Sequence, residues 1–351
     1  MGKLIFDFIS VEVTRRCNLN CRHCLRGDAQ EVDIDFSVID VLAEQSAQIY
    51  TLTFTGGEPT LNVPAIAHTL DALRRRNVPV TSMRVITNGA LHSRELVEIV
   101  REFSDYIARW KDPDSCVCVQ VSDDRYHIGV EPRAAVDFYR RELAGAAEVE
   151  IVSAGESPLA IGRGRVLASA QEPPISGRVP HKIETLELGK TYVCPVQHLW
   201  PDIQAGEKVV CCRLNLSAHG DLSLSLSDSG EYAADDRRRD LVVCNLSQDT
   251  CDIERSITEF NRRFPSCRAA KEREEVMQME EYAKHPRQII EDFRRAYHTM
   301  QQNPAAKDVL LRQYPGLEGQ FALFLGMLDA IELLPDEQLR RLVTRQPLQG
   351  P

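Results

Sequence analysis

Long hydrophobic runs are missing from this sequence. No apolar stretch approaches the roughly 20 residues that a membrane-spanning helix needs. The first residues, Met1 to Phe8, lack the long apolar region and the small-residue cleavage site of a signal peptide. An excess of basic residues is also missing, since the formal net charge is -10. We therefore expect a protein that has no membrane span and that does not bind nucleic acid as its main partner.

The 11 cysteines occur without an export signal. This combination predicts a reducing compartment, and hence a cytoplasmic protein. Their odd number and their clustering favour metal ligation over disulfide bonds. The 351 residues are enough for a large core and, at about 150 residues per domain, for two domains.

Three of the cysteines lie within eight residues, directly after an apolar run that is typical of a strand. They are Cys17, Cys21 and Cys24. Thiols this close in sequence can converge on one point. A structural zinc ion and a cubane iron–sulfur cluster each usually take four protein ligands, and no fourth ligand lies nearby. The loop therefore predicts a metal site with one open position, which favours chemistry over mechanical support.

This spacing resembles the three-cysteine motif of the radical S-adenosylmethionine (SAM) superfamily. Two later segments agree with it in order and spacing: Gly56-Gly57-Glu58-Pro59 resembles the family's Gly-Gly-Glu-Pro motif, and Thr87-Asn88-Gly89 resembles the Thr-Asn-Gly that ends its third strand. The resemblance implies that Cys17, Cys21 and Cys24 hold a [4Fe-4S] cluster, with SAM on the open iron. It also implies reductive cleavage of SAM to a 5′-deoxyadenosyl radical. A zinc knuckle or an inert structural cluster is the alternative.

The same resemblance implies contacts with SAM from residues near the ends of the predicted strands. Gly56 and Gly57 would let the backbone approach SAM, since glycine lacks a Cβ, and Glu58 would face its ammonium group. The guanidinium of Arg163 would hold its carboxylate in a fork. The other residues with an implied contact are His23, Asn88 and Ser122. The ordinary interpretation of each is structural: a tight turn, a cap or a solvent-facing side chain.

Strand-like and helix-like segments alternate from residue 6 to about residue 165, which predicts a parallel sheet with crossover helices. The predicted strands cover residues 6–14, 50–55, 82–87, 115–122, 149–153 and 159–165, and the predicted helices cover 35–47, 64–76, 93–108 and 132–143. In the fourth strand, Cys116 and Cys118 share one face and are interpreted as small buried residues. The resemblance implies an α/β fold, a partial (β/α)6 TIM-like barrel with its site at the carboxyl ends of the strands.

The second half predicts three further regions after a barrel domain of residues 1–169. Residues 170–190 contain prolines and glycines without periodicity and are interpreted as a linker. Residues 191–267 include a predicted β-hairpin at 208–227, with its turn at 218–221. Residues 268–351 are predicted to be a helical region that covers the rest.

The cysteines around the hairpin resemble the SPASM or twitch appendages of the superfamily. The resemblance implies one auxiliary [4Fe-4S] cluster, with Cys194, Cys212, Cys244 and Cys251 as the expected ligands. Cys211 is the rival of Cys212, since neighbours on a strand point to opposite faces, and Cys267 is the rival of Cys251. Against this expectation, Ser223 and Ser225 stand where relatives often have a cysteine. A degenerate appendage without metal is the alternative.

These features predict a radical SAM enzyme that abstracts hydrogen from a peptide or a small metabolite. Its expected partners are that substrate and a reductant such as flavodoxin or ferredoxin. Because the first strand is predicted close to Met1, no peptide-binding domain is expected before it, which weighs against a peptide. The alternatives are an iron–sulfur protein with a structural or sensing role and no turnover, and a zinc-binding interaction module.

Overall fold

The computed structural model describes residues 3–110, 115–123, 125–152, 163, 182–183, 185–187, 208–224, 236–248, 251–266 and 287. All of them except Arg287 lie in one of two compact units, which comprises Met1–Pro174 and Arg178–Ala270. Several predictions fall outside the described residues: most of the sixth strand, most of the linker at 170–190, the helical region at 268–351 apart from Arg287, and the positions of Cys194, Ser225 and Cys267.

Strands and helices alternate through the first half of the chain. They are β1 (Leu4–Thr14), α1 (Phe36–Gln45), β2 (Ser46–Gly56), α2 (Val63–Arg76), β3 (Val80–Thr87), α3 (Arg94–Ala108), β4 (Cys116–Ser122), α4 (Pro132–Glu142) and β5 (Glu148–Val152). The five strands pair in parallel, in the order β5-β4-β3-β2-β1. The predicted α/β class with a parallel sheet is therefore confirmed. No helix among the described residues is long and apolar enough to cross a membrane.

Short polar side chains set where the helices begin. The side chain of Asp35 accepts a hydrogen bond from the Ser37 amide at the start of α1. Ser93 does the same for the Leu96 amide at the start of α3. Each cap satisfies an amide that has no partner inside its helix, so the local sequence fixes these two boundaries.

Alternation along the strands separates an apolar face from a polar one. Val11, Phe54, Val85 and Val119 stand side by side on four strands and pack in one core with apolar residues of α1 to α4. The residues just before them form a parallel row: Ser10, Thr53, Arg84 and Cys118. Since neighbouring strand residues point to opposite faces, this polar row lies on the face away from that core.

The predicted hairpin is present and continues the same sheet. The later elements are β6 (Thr185–Glu187), β7 (Lys208–Leu216), β8 (Asp221–Leu224), β9 (Val242–Asn245) and α5 (Ile253–Asn261). β7 runs parallel to β1 on the side away from β2, and β6 and β8 pair with β7 in antiparallel fashion. β6 lies inside the segment predicted as a linker. The proposed domain boundaries stay predictions.

Candidate functional site

The carboxyl ends of the parallel strands meet at one edge of the sheet. Thr14 at the end of β1 pairs with Gly56 at the end of β2. Thr87 at the end of β3 pairs with Val121, and Ser122 at the end of β4 pairs with Val152. The segment that carries Cys17, Cys21 and Cys24, called the cysteine loop below, follows the end of β1. The Gly-Gly-Glu segment lies at the end of β2, and Asn88 follows β3, so the fold brings all three motifs together.

The cysteine loop is a compact turn with three partly exposed thiols. The amide of Cys24 donates to the carbonyl of Cys21 at 3.2 Å. The sulfur of Cys17 accepts from the Leu19 amide at 3.4 Å and from Asn88 Nδ2 at 3.9 Å. Burial raises the pKa of the Cys17 thiol, so a metal ion bound there would have to displace its proton.

The donor set of this loop fits an iron–sulfur cluster in its chemistry. Thiolates are the ligands such clusters use, and hydrogen bonds to their sulfurs tune the potential; Cys17 already receives two such bonds. Within the described part of the chain, no three Cys, His, Asp or Glu side chains are arranged around a common metal position. Cys17, Cys21 and Cys24 could hold a cluster once their side chains converge, and this assignment stays a prediction.

Gly56 and Gly57 allow the backbone of β2 to lie directly against the start of the cysteine loop. The amide of Gly57 donates to the Thr14 carbonyl at 2.8 Å. A Cβ on Gly57 would lie 2.2 Å from the carbonyl oxygen of Arg16, and one on Gly56 would lie 2.6 Å from that of Thr14. The glycines are therefore required by the approach of the chain to itself. The expected approach to SAM stays a prediction.

Glu58 is fully buried and is surrounded by donors from its own chain. Its Oε1 accepts from the Thr60 hydroxyl at 2.7 Å, the Thr87 hydroxyl at 2.8 Å and the Thr60 amide at 3.1 Å, and its Oε2 accepts from the Asn88 amide at 2.8 Å. Burial raises the pKa of this carboxyl group. The carboxylate thus joins the ends of β2 and β3, and its expected contact with the SAM ammonium stays a prediction.

Asn88 connects the end of β3 to the cysteine loop. Besides reaching the sulfur of Cys17, its Nδ2 donates to Asn18 Oδ1 at 2.9 Å, and its Oδ1 accepts from the Ala90 amide. Gly89 follows with φ +72, where a Cβ would meet Val121 at 2.8 Å. The turn is therefore tight, and Asn88 faces the cysteine loop.

His23 packs against residues of the loop that follows β4. Its ring stacks on Tyr126 with centroids 4.6 Å apart, and it meets His127 edge-on at 5.3 Å. The sequence places Tyr126 and His127 just after a strand end, but it does not predict this contact. Ser122 is partly exposed at the end of β4. Contacts of His23 and Ser122 with SAM stay predictions.

Arg163 lies on the cysteine loop. Its amide donates to the Cys24 carbonyl at 3.0 Å, and its guanidinium donates to Asn20 Oδ1 and lies 3.4 Å from Asp28. The structure thus brings Arg163 beside the predicted cluster loop from about 140 residues away. A contact with the SAM carboxylate stays a prediction.

Sequence reasoning misses a buried ion pair behind the loop. Glu12 of β1 is fully buried and lies 2.9 Å from Arg26, which comes two residues after Cys24. An acidic residue inside the apolar run that forms β1 is a signal of such a pair, since buried carboxylates need a partner.

The later cysteines divide between the two faces of the sheet. Cys212, Cys244 and Cys251 pack against the main core, and Cys211 packs against a small cluster around Ile5. Cys244 and Cys251 share a hydrogen bond that raises the pKa of Cys244 and lowers that of Cys251. The auxiliary cluster itself stays a prediction.

Residues 11–109 match the model of the Radical SAM superfamily. This segment is thus similar to a radical SAM domain. It contains the cysteine loop, the Gly-Gly-Glu-Pro motif and Asn88, which are the residues that meet at the carboxyl edge of the sheet. The match covers the same motifs on which the radical SAM resemblance rests, and it supports that resemblance at the level of the superfamily.

Two curated proteins are similar to part of the chain. The GTP 3′,8-cyclase of Chlorobaculum tepidum is 33% identical over 100 residues, which cover 27% of this chain and 29% of the cyclase. The Fe-coproporphyrin III synthase of Methanosarcina barkeri is 36% identical over 104 residues, which cover 26% of this chain and 23% of the synthase. The chain thus matches less than a third of the length of each relative.

Among solved structures, native anSMEcpe with bound AdoMet and Cp18Cys peptide covers 75% of this chain and 82% of its own, with TM-score 0.42 and 13% identity. Streptococcus suis SuiB bound to precursor peptide SuiA covers 43% of this chain and 32% of its own, with TM-score 0.31 and 15% identity. Both likenesses are too distant to assign a reaction.

Proposed function

We propose that this protein is a radical SAM enzyme in which Cys17, Cys21 and Cys24 hold a [4Fe-4S] cluster. When bound, the cluster and SAM supply a 5′-deoxyadenosyl radical, which abstracts hydrogen from the substrate. The observation that carries the proposal is the superfamily match over residues 11–109, whose three motifs meet at one edge of the sheet. A reductant such as flavodoxin or ferredoxin delivers the electron.

The chain's own residues prepare this site in three ways. Leu19 and Asn88 donate to the sulfur of Cys17. Gly57 pairs with Thr14, which places the loop against the end of β2. Glu58 ties the same strand end to β3. These contacts support a rigid strand edge on which a cofactor is bound, as active sites require.

The proposed substrate is a small metabolite or a peptide. The two curated relatives are named for small-molecule chemistry, a GTP 3′,8-cyclase and an Fe-coproporphyrin III synthase, and this supports the first class. The polar row at Ser10, Thr53 and Arg84 gives the face away from the core a lining suited to a polar substrate.

The test replaces Cys17, Cys21 and Cys24 together by alanine and reconstitutes the chain without oxygen. We expect no 5′-deoxyadenosine from SAM and reductant, because no ligands remain for the cluster. Cys118→Ala is the matched control, since this thiol is buried on β4 and should leave SAM cleavage unchanged. Wild-type rates from the triple variant would refute the assignment.

Two other functions are separated by simple observations. A zinc site would be colourless, because Zn²⁺ has a filled d shell and no redox chemistry, whereas cysteine-held iron clusters are brown. An iron–sulfur protein with a structural or sensing role would be brown and would leave SAM intact. Visible absorption followed by SAM cleavage therefore distinguishes all three functions.

We also propose one auxiliary cluster, with Cys194, Cys212, Cys244 and Cys251 as ligands. The hydrogen bond between the thiols of Cys244 and Cys251 supports it, because it brings two of these side chains together. The choice of Cys212 over Cys211 is supported by the side of the sheet: Cys212, Cys244 and Cys251 contact the main hydrophobic core, whereas Cys211 packs on the small apolar group around Ile5.

A further inference from the structure

A buried carboxylate lies behind the cysteine loop and is shared by two parts of the fold. Glu12 is 0% exposed, and its Oε1 accepts from Arg26 Nη1 at 2.9 Å. Its Oε2 accepts from the backbone amide of Ala218 at 3.0 Å. A charge without access to water is tolerated only where it is paired and hydrogen-bonded, and each oxygen of Glu12 has such a partner.

Arg26 connects Glu12 to the cysteine loop. Its second guanidinium nitrogen donates to the Thr55 hydroxyl at 2.8 Å, so one side chain contacts both β1 and β2. Its carbonyl accepts a hydrogen bond from the guanidinium of Arg15. Arg26 follows Cys24 by two residues, and these contacts therefore fix the end of the loop that carries the last two thiols.

Ala218 connects Glu12 to the hairpin. It lies in the turn between β7 and β8, which the Ser217 amide closes by donating to Asp221. The next residues of the turn bind the end of β9: the carbonyl of His219 accepts from Asn245 Nδ2 at 3.0 Å, and that of Gly220 accepts from Leu246 at 2.8 Å. The position of Glu12 thus depends on the hairpin, and the hairpin lies next to the segment that carries Cys244.

We propose that Glu12 is a positioning residue that couples the cysteine loop to the β7–β8 turn. Its two oxygens accept from donors on two separate segments, so neither segment can shift without breaking a charge-assisted hydrogen bond. The role of the thiols that it positions rests on the proposed function, but the coupling itself does not. Glutamine has the same shape but only one acceptor oxygen. It therefore keeps the hydrogen bond with Arg26 or the one with Ala218, and the other hydrogen bond is lost.

Hydrogen exchange of the full chain, without metal or SAM, tests the coupling. In Glu12→Gln we expect amides of residues 17–27 and 216–221 to exchange about tenfold faster, as the loss of roughly one buried hydrogen bond predicts. Peptides from β3 and β4 should keep their wild-type rates. Glu102→Gln is the matched control, since it removes the same charge from an exposed pair with Arg74 and should leave both segments unchanged.

A second variant separates coupling from general weakening. Arg26→Gln should make the amides of the cysteine loop exchange faster. Combining it with Glu12→Gln should increase that exchange rate little further, because both changes break the same contact. Two results would overturn the proposal: faster exchange of only one segment in Glu12→Gln, or equal acceleration of all strands. Since no SAM is present, absence of SAM cleavage would refute the proposed function and leave this measurement intact.

Discussion

Single residues at this site make specific contacts within the chain that account for their identity. The sequence predicts that Gly56, Gly57 and Glu58 matter, and the structure gives each a specific reason. The glycines admit the backbone of residues 14–16, and Glu58 receives donors from Thr60, Thr87 and Asn88. The contacts with Thr87 and Asn88 could not be predicted, because these residues lie about 30 residues away and only the folded sheet brings them close.

Gly57→Ala tests the first of these reasons. The added Cβ would lie 2.2 Å from the Arg16 carbonyl oxygen and 2.7 Å from its carbon, and both are backbone atoms that cannot rotate away. We expect a loss of about 3 kcal/mol or more of unfolding free energy, the upper range for an overpacked site, measured by urea denaturation.

Gly129→Ala provides the control for this change. Nothing lies within 4 Å of its Cβ, and only its φ of +82 opposes the alanine. Gly129→Ala should therefore lower the free energy of unfolding by about 1–2 kcal/mol, the penalty for a left-handed backbone conformation. Equal losses for the two variants would show that the close approach at Gly57 is relaxed in solution.

Whole elements follow from local sequence more closely than single contacts do. Apolar periodicity predicts α1 to α4 to within a few residues, and the caps at Asp35 and Ser93 set two of their starts. The hairpin turn at 218–221 is likewise local. The pairing of β7 with β1 is not, because a strand carries no local signal for a neighbour that lies about 200 residues away.

The burial of Cys118 in β4 leads to a prediction about the reactivity of its thiol. Cys118 is 2% exposed, and burial raises its pKa to about 12, so near neutral pH almost all of this thiol is protonated. At pH 8 only about one part in 10,000 is thiolate, the reactive form. We expect iodoacetamide to alkylate Cys118 far more slowly in the native protein than in the unfolded chain at pH 8.

Mass spectrometry of the labelled peptides measures this directly. The labelling rate of Cys118 should rise about tenfold per pH unit between pH 7 and 9, because the thiolate fraction rises by that factor. Urea-unfolded chain is the reference in which Cys118 reacts normally. Native Cys118 that reacts as fast as unfolded chain would show that β4 opens readily or that this thiol faces solvent.

At the scale of the whole molecule, the hairpin belongs to the same compact unit as the parallel strands. The sequence suggests a separate appendage, since composition changes around residue 170 and the cysteines recur after it. Amino-acid composition shows where the type of sequence changes along the chain, but it does not show which edge of a sheet the later strands join. This is why the predicted hairpin is present while its place beside β1 is unexpected.

The auxiliary cluster is tested in the variant that lacks Cys17, Cys21 and Cys24. After anaerobic reconstitution it should retain about four irons and four sulfides per chain, as one cubane cluster requires. Adding Cys244→Ala should remove them, and adding Cys118→Ala should not. Iron near zero in the triple variant, with the chain still folded, would show that the later cysteines hold no cluster.

The place of β1 between β2 and β7 has a consequence for biosynthesis. β2 is made soon after β1, but Lys208, the partner of Leu4, follows it by about 200 residues. At about 5–20 residues per second on the ribosome, one edge of β1 waits roughly 10–40 s for its neighbour. An unpaired strand edge invites association with other chains. Ala218 is made equally late, so a nascent chain completes the setting of its cysteine loop only after that residue has emerged.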